Sequence, residues 1–194
     1  MRSALTLRLG KGKIILRRKD WQKRAKNIRL LLLDVDGVLT DGRIIYDGSG
    51  REGKSFNIKD GLGMVLLQRA GLEIGILSGR KSPAVTARAK ELGIGLCKQK
   101  VLNKGKALEA ILRMKKIRAE QICFVGDDLV DLPVFLRAGL AVAVADSAEE
   151  VQANAHYVTR LPGGQGAVRE VCELILKAQG QWKKVTHQYI APRR

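Results

Sequence analysis

From Ile28 to about Gly180 the chain alternates short apolar runs with helical patterns, and this alternation constrains the fold more than any other feature. "IRLLLLDV" is apolar at consecutive positions, so a strand there has both faces covered, as in a parallel sheet. "LEIGILSG", "QICFVGDD" and "LAVAVAD" read as further core strands, with "IGLCKQ" and "HYVT" as shorter ones. Between them lie helical stretches: "DGLGMVLLQRAG", starting near Asp60 and stopping at Gly71, "SPAVTARAKELG" with Ser82 as cap, and "KGKALEAILRMKKI". "LPVFLRAG", "SAEEVQANA" and "GAVREVCELILKAQG" continue the series. "GRIIYD" and "GKSFNI" flank the glycine-rich "GSGRE" and read as a β-hairpin. Strand and helix in this order specify an α/β fold, a Rossmann-like open parallel sheet with helices on both faces. Ligands of such sheets sit at the carboxyl ends of the strands.

The length of 194 residues suits one domain with a full core, and 45% hydrophobic content fits a globular protein. No segment approaches the apolar length of a membrane span. Cys97, Cys123 and Cys172 are far apart and form neither a disulfide framework nor a metal spacing, which points to a reducing cytoplasm. The net charge of +17 is concentrated outside the regular part. Residues 1–27 carry many Lys and Arg against the single acid Asp20, and the end reads "APRR". The expected organisation is a basic arm (1–27), a catalytic domain (28–180) and a basic tail (181–194). Charges interrupt each apolar run of the arm, so it is not a secretory signal. A solvated arm is the plain reading; contact with an anionic membrane surface or with nucleic acid are the sharper ones. The arm has Trp21 but no interleaved aromatics for base stacking, which argues against single-strand nucleic acid.

The polar motifs fall at strand ends. Asp34 and Asp36 follow the leucine run at i and i+2, and Gly37 lets the backbone turn away beneath them. Two carboxylates held this close repel each other and call for a hard divalent cation; magnesium, held by carboxylates, water and phosphate oxygens, fits. Turn capping is the ordinary alternative for aspartates. "FVGDDLVD" repeats the pattern with Asp127, Asp128 and Asp131. Ser78 ends another strand, where its hydroxyl and the following N–H groups suit a phosphoryl oxygen. Lys104 opens a helix, a natural anion site, with Lys106 as its rival.

"DVDGVLTDG", "SGR", "NKG" and "GDDLVD", in that order and spacing, resemble the four motifs of the haloacid dehalogenase-like phosphatases. The resemblance covers the chain from about Asn27 to Gly180 and includes "FNIKDGLG", "VGDDLVDLPV", "AVADS" and "GGQGAVREVCELIL". It implies the haloacid dehalogenase-like fold in its capless form, since only the hairpin Arg43 to Phe56 follows the first motif. It implies Asp34 as nucleophile, Asp36 as acid and base, and Ser78 and Lys104 steadying the transferring phosphoryl group. Magnesium is expected on the Asp34 carboxylate, the Asp36 backbone carbonyl and Asp127, with Asp128 or Asp131 behind them. Substrate contacts are expected from Asp36, Asn57, Ile58, Lys59, Asp60, Gly61, Gly79, Arg80, Arg88 and Lys104.

Within the family the implied substrate is an eight-carbon keto-sugar acid phosphate, 3-deoxy-D-manno-octulosonate 8-phosphate, of lipopolysaccharide biosynthesis. A nine-carbon keto-sugar acid phosphate is the alternative, and a nucleic-acid-associated phosphatase using the arm is a third. Lys59 and Val65 stand where relatives carry arginine, which bears on the choice of sugar acid. The resemblance also implies a homotetramer assembled through the hairpins. Exposed Ile44, Ile45 and Tyr46 suit that assembly, and the mobile glycines of "LPGGQGA" are expected to reach a neighbour's site.

Overall fold

The computed structural model describes residues 20–190. In chain order its elements are helix α1 (Trp21–Lys26), strand β1 (Leu30–Leu33), a hairpin of β2 (Ile45–Tyr46) and β3 (Glu52–Gly53), α2 (Ile58–Arg69), β4 (Glu73–Leu77), α3 (Pro83–Glu91), β5 (Leu96–Lys98), α4 (Lys104–Lys115), β6 (Ile122–Gly126), α5 (Leu132–Phe135), β7 (Leu140–Ala143), α6 (Glu149–Ala153), β8 (Tyr157–Val158), α7 (Ala167–Ala178) and α8 (Trp182–Ile190). Six strands form one sheet in the order β5-β4-β1-β6-β7-β8, every pair parallel.

The leucine run explains why β1 lies inside this sheet. Leu31 and Leu33 enter an apolar layer shared with α1, α2, α3 and α7, while Leu30 and Leu32 enter the opposite layer with α4, α5 and α6. All four are buried, each contributing roughly 1.5–3 kcal/mol. A strand with two apolar faces is stable only between two helical layers, and β1 pairs with β4 on one side and β6 on the other. From β1 the chain moves outward through β4 to β5, then returns to β6 and proceeds to β8. The direction reverses between β1 and β6, which opens a crevice at their carboxyl ends.

The helices at either end of the described residues, on the arm side of 27/28 and the tail side of 180/181, pack against this body. In α1, Ala25 is fully buried and Trp21 meets Tyr157 edge-on at 5.4 Å. Gln179 Nε2 donates to the carbonyls of Ala25 (3.0 Å) and Ile28 (2.9 Å), tying α1 to the end of α7. In α8, Val185 is buried, and Trp182 lies beneath Lys177 at 4.9 Å and Arg169 at 5.7 Å. Both helices are short and strongly charged, so their few apolar residues set no visible period. The arm up to residue 19 and the "APRR" end lie outside the described residues.

The hairpin forms where expected, pairing Ile45 with Gly53 and Tyr46 with Glu52. Among the described residues, no cap domain follows β1 or β4; the hairpin is the only element inserted before α2. No described helix is long and apolar enough to cross a membrane.

Candidate active site

Asp34 continues β1 by one residue, its N–H donating to Val125 O at 3.0 Å. The chain then turns tightly, with the N–H groups of Val38, Leu39 and Thr40 all donating to Val35 O. Gly37 makes the turn at φ +86°, and a Cβ there would stand 2.0 Å from Asp127 Oδ2. Glycine is therefore required twice over: for its backbone and for the approach of the second acidic strand end. Asp34, Asp127 and Asp131 bring carboxylate oxygens within 4.8 Å of one another.

Lys104 is the cation of this cluster. It is the first residue of α4, whose start is capped by Asn103 Oδ1 accepting from Lys106 N at 2.9 Å. Its Nζ lies 2.8 Å from Asp34 Oδ1 and 2.6 Å from Asp131 Oδ1. Lys106 is exposed, so Lys104 takes the place for which both competed. Asp131 is wholly enclosed; its second oxygen accepts from Asp127 N at 2.9 Å and Asp128 N at 3.4 Å, holding the loop after β6.

One ammonium among three carboxylates leaves the cluster short of positive charge. Burial, then the Asp34 and Asp131 carboxylates, push Asp127 up to about 8. Burial and Asp131 push Asp34 up to about 6 against the pull of Lys104. Burial works against the Lys104 ammonium, yet the two carboxylates beside it outweigh that and raise its pKa. An all-oxygen donor set, crowded and under-neutralised, fits a hard divalent cation.

The expected members are not all brought together. Asp34 and Asp127 converge, but the Asp36 side chain turns away from the acid cluster to the ammonium of Lys54, with Arg80 Nε 3.9 Å from its other oxygen. Its expected place around the metal, through the backbone carbonyl, does not involve this side chain, and Asp131 is the third carboxylate of the cluster. Ser78 is buried at the end of β4, where the pairing of Leu33 with Ile76 sets Asp34 beside the neighbouring strand's end. Its Oγ accepts from Arg80 N at 3.3 Å across Gly79. Arg80 joins Lys81, Lys100, Gly79 and Leu102 around a cationic cavity of about 560 Å³.

The segment Asn57 to Gly61 forms the start of α2. Asn57 caps α2, accepting from Lys59 N at 2.8 Å, and donates to Gly164 O at 3.2 Å; Ile58 and Lys59 are exposed. Asp60 is enclosed, and its Oδ1 accepts from Arg169 N at 2.7 Å, capping the first turn of α7. This bond ties α2 to α7. Gly61 lies under Arg88, whose guanidinium would stand 2.3 Å from a Cβ there. Arg88 in turn pairs with Glu91 at 2.9 Å and lies over Phe56, so among the described residues its partners are outside the acid cluster.

The glycine-rich loop packs on its own chain: Gly164 N donates to Val38 O at 2.9 Å, and a Cβ on Gly163 would stand 1.7 Å from Gly37 O. Asp146 Oδ1 accepts from Gly163 N at 2.9 Å and secures the loop from the end of β7. These glycines permit close approach to the turn beneath Asp34. Sequence reasoning missed Lys54 and the structural part played by Asp146. The E-x-K spacing of Glu52 and Lys54 was the available signal for the first.

A family model for haloacid dehalogenase-like hydrolases matches residues 96–168, from β5 to the start of α7. The 3-deoxy-D-manno-octulosonate 8-phosphate phosphatase KdsC of Escherichia coli (strain B / BL21-DE3) is 46% identical over 171 residues, covering 88% of this chain and 91% of that protein. The chain belongs to the haloacid dehalogenase-like hydrolases. Solved structures of this family agree with the fold. That of 3-deoxy-D-manno-octulosonate 8-phosphate phosphatase from Moraxella catarrhalis, in complex with a magnesium ion, a phosphate ion and a KDO molecule, has a TM-score of 0.86 and 41% identity. It covers 88% of this chain and 98% of that one. The cobalt-bound deoxy-D-mannose-octulosonate 8-phosphate phosphatase of Haemophilus influenzae has a TM-score of 0.81 and 40% identity, covering 87% and 99%.

Proposed function

We propose that the protein is a magnesium-dependent phosphatase that hydrolyses 3-deoxy-D-manno-octulosonate 8-phosphate to the sugar acid and phosphate, in lipopolysaccharide biosynthesis. The observation that carries this reading is the convergence of Asp34, Asp127, Asp131 and Lys104 at the switch point of the sheet. An Asp34 oxygen attacks phosphorus in line, the P–O bond to the sugar breaks, and Asp36 gives its proton to the departing oxygen. Water then attacks the aspartyl-phosphate, Asp36 takes its proton, and the P–O bond to Asp34 breaks to release phosphate. Lys104 and the N–H groups after Ser78 face charge that spreads over the equatorial oxygens. The Asp34 and Asp127 carboxylates and the Asp36 carbonyl would hold magnesium, which when bound would offset the repulsion between the nucleophile and a phosphate ester. Asp131 keeps Lys104 and the loop after β6 in place.

The cationic cavity beside Arg80 suits the carboxylate of a sugar acid. Ile44, Ile45 and Tyr46 are all more than half exposed on the hairpin and supply an apolar surface for a homotetramer, which we place in the cytoplasm. The test is phosphate release from 3-deoxy-D-manno-octulosonate 8-phosphate and from a nine-carbon analogue, with magnesium or chelator. Magnesium-dependent turnover of the eight-carbon substrate is expected. Turnover of the nine-carbon compound alone would overturn the substrate, and turnover by Asp34→Asn would overturn the mechanism.

A further inference from the structure

The hairpin is open on its outer side, yet the residue just after β3 carries one of the most enclosed charged side chains in the molecule. The backbone at Lys54 is open while its side chain is only 1% exposed. Its ammonium binds Asp36 Oδ1 and lies 2.8 Å from Glu52 Oε1. Arg80 closes the arrangement, pairing with the other Glu52 oxygen and standing 3.9 Å from Asp36 Oδ2. Two cations and two carboxylates thus alternate around a ring that joins the hairpin to the catalytic turn.

Enclosing an ammonium is costly unless its partners are well placed. If the ring served only to seat the hairpin, Glu52 and Arg80 would be enough, since both belong to the structures being joined. Lys54 does more, because its second partner is the one carboxylate in the site that faces away from the acid cluster. The Asp36 side chain is 26% exposed on a loop, and among the described residues its ion-pair partners are Lys54 and, at 3.9 Å, Arg80. Lys54 is the nearer of the two and the one that fixes the direction of the carboxylate.

We propose that Lys54 is a positioning residue that aims the Asp36 carboxylate for its proton transfers, so that seating of the hairpin and acid–base chemistry are linked. The inference rests on the phosphatase reading above and assigns Lys54 no contact with the reacting atoms.

The leaving group supplies the test. A sugar oxygen needs a proton as it departs, whereas p-nitrophenolate and acetate leave as stable anions. The value of kcat/KM reports only steps up to the loss of the leaving group. With magnesium saturating, Lys54→Met is expected to lower kcat/KM on 3-deoxy-D-manno-octulosonate 8-phosphate by about 30-fold or more, within the range of general acid catalysis. On p-nitrophenyl phosphate or acetyl phosphate the loss should stay below about threefold. Lys54→Arg should recover most of the sugar-phosphate activity. Equal losses on both kinds of substrate, or none on either, overturn the proposal, because a purely structural role does not distinguish leaving groups. If Lys54→Met does not fold, Lys54→Gln keeps a polar head without the charge and carries the same expectation. A wild-type protein inert towards every phosphate ester would instead refute the phosphatase reading itself.

Discussion

Two clusters of charge lie side by side at the strand ends, and they are built on opposite plans. Around Asp34, three carboxylates share one ammonium, all largely withdrawn from water. Around Asp36, two carboxylates meet two cations, Lys54 and Arg80, in a ring whose charges balance. The first has an unmet demand for positive charge; the second has none. A deficit of this kind is relieved by holding protons or by binding a cation, so the deficient cluster is the one that responds to pH and metal, and the balanced ring is the one that does not.

The largest effect expected from this contrast is in Asp34→Asn. Removing the nucleophile should lower kcat by at least about 10⁴-fold, as when a residue that acts as part of a unit is lost. The same change takes one carboxylate out of a crowded cluster, so the metal-free variant should unfold at a higher temperature than metal-free wild type at pH 8. Phosphate release and thermal scans in chelator give both numbers. A variant that is both inactive and less stable would contradict a cluster under electrostatic strain.

Lys104→Met strikes the same cluster from the other side. It leaves Asp34 and Asp131 without their cation, which for a buried pair is worth about 3–5 kcal/mol of stability. Turnover should fall by about 10²–10³-fold, the usual loss on removing a charge-stabilising donor. Denaturant titration with and without magnesium would show whether added metal recovers part of the stability, as the deficit predicts.

A third expectation concerns pH. Asp34 is raised to about 6 and Asp127 to about 8, so the folded, metal-free protein binds protons more tightly than the unfolded chain. For carboxylates raised in this way stability is greatest below their ordinary pKa and is lost as pH climbs through about 6 and then about 8. Magnesium competes for the same oxygens and should flatten the decline, so the rise in Tm on adding it should be larger at pH 8.5 than at pH 6. Equal rises at the two pH values would mean that the metal does not bind at these carboxylates.

Much of this was legible in the residues and some was not, for identifiable reasons. Leu30–Leu33 announce a strand covered on both faces because both faces are apolar, and Asp34, Lys104 and Asp127 follow from their places at element ends. That Asp60 caps α7 is not legible because spacing along α2 does not say that this face of the helix turns to the start of α7. The packing of Gly163 and Gly164 is not legible because glycine signals either freedom or close contact, and only the position of Gly37 O shows the contact. The contribution of α1 is hidden since Ala25 and Trp21 are its only apolar anchors. Lys54 needs the hairpin to fold back across 18 residues to Asp36, a tertiary fact that no local pattern carries.

The smallest effect tests the balanced side. Glu52→Gln leaves Lys54 on Asp36 and Arg80 at the edge of the ring, where its side chain is 45% exposed. A partly solvated pair in a network that retains its other partners is worth about 0–1 kcal/mol, so the midpoint of unfolding should scarcely move. The variant should also keep the pH dependence of the wild type, which Asp34→Asn weakens, because Glu52 is held below the usual carboxylate range by Lys54 and Arg80 and is already ionised where the enzyme is stable. A double-mutant cycle with Arg80→Gln measures the pairing directly, and coupling below about 1 kcal/mol is expected. A coupling of several kcal/mol would mean that the ring is sealed from water as tightly as the acid cluster. The two sites would then differ in charge count alone, and the deficit around Asp34 would no longer be explained by burial acting on one site more than the other.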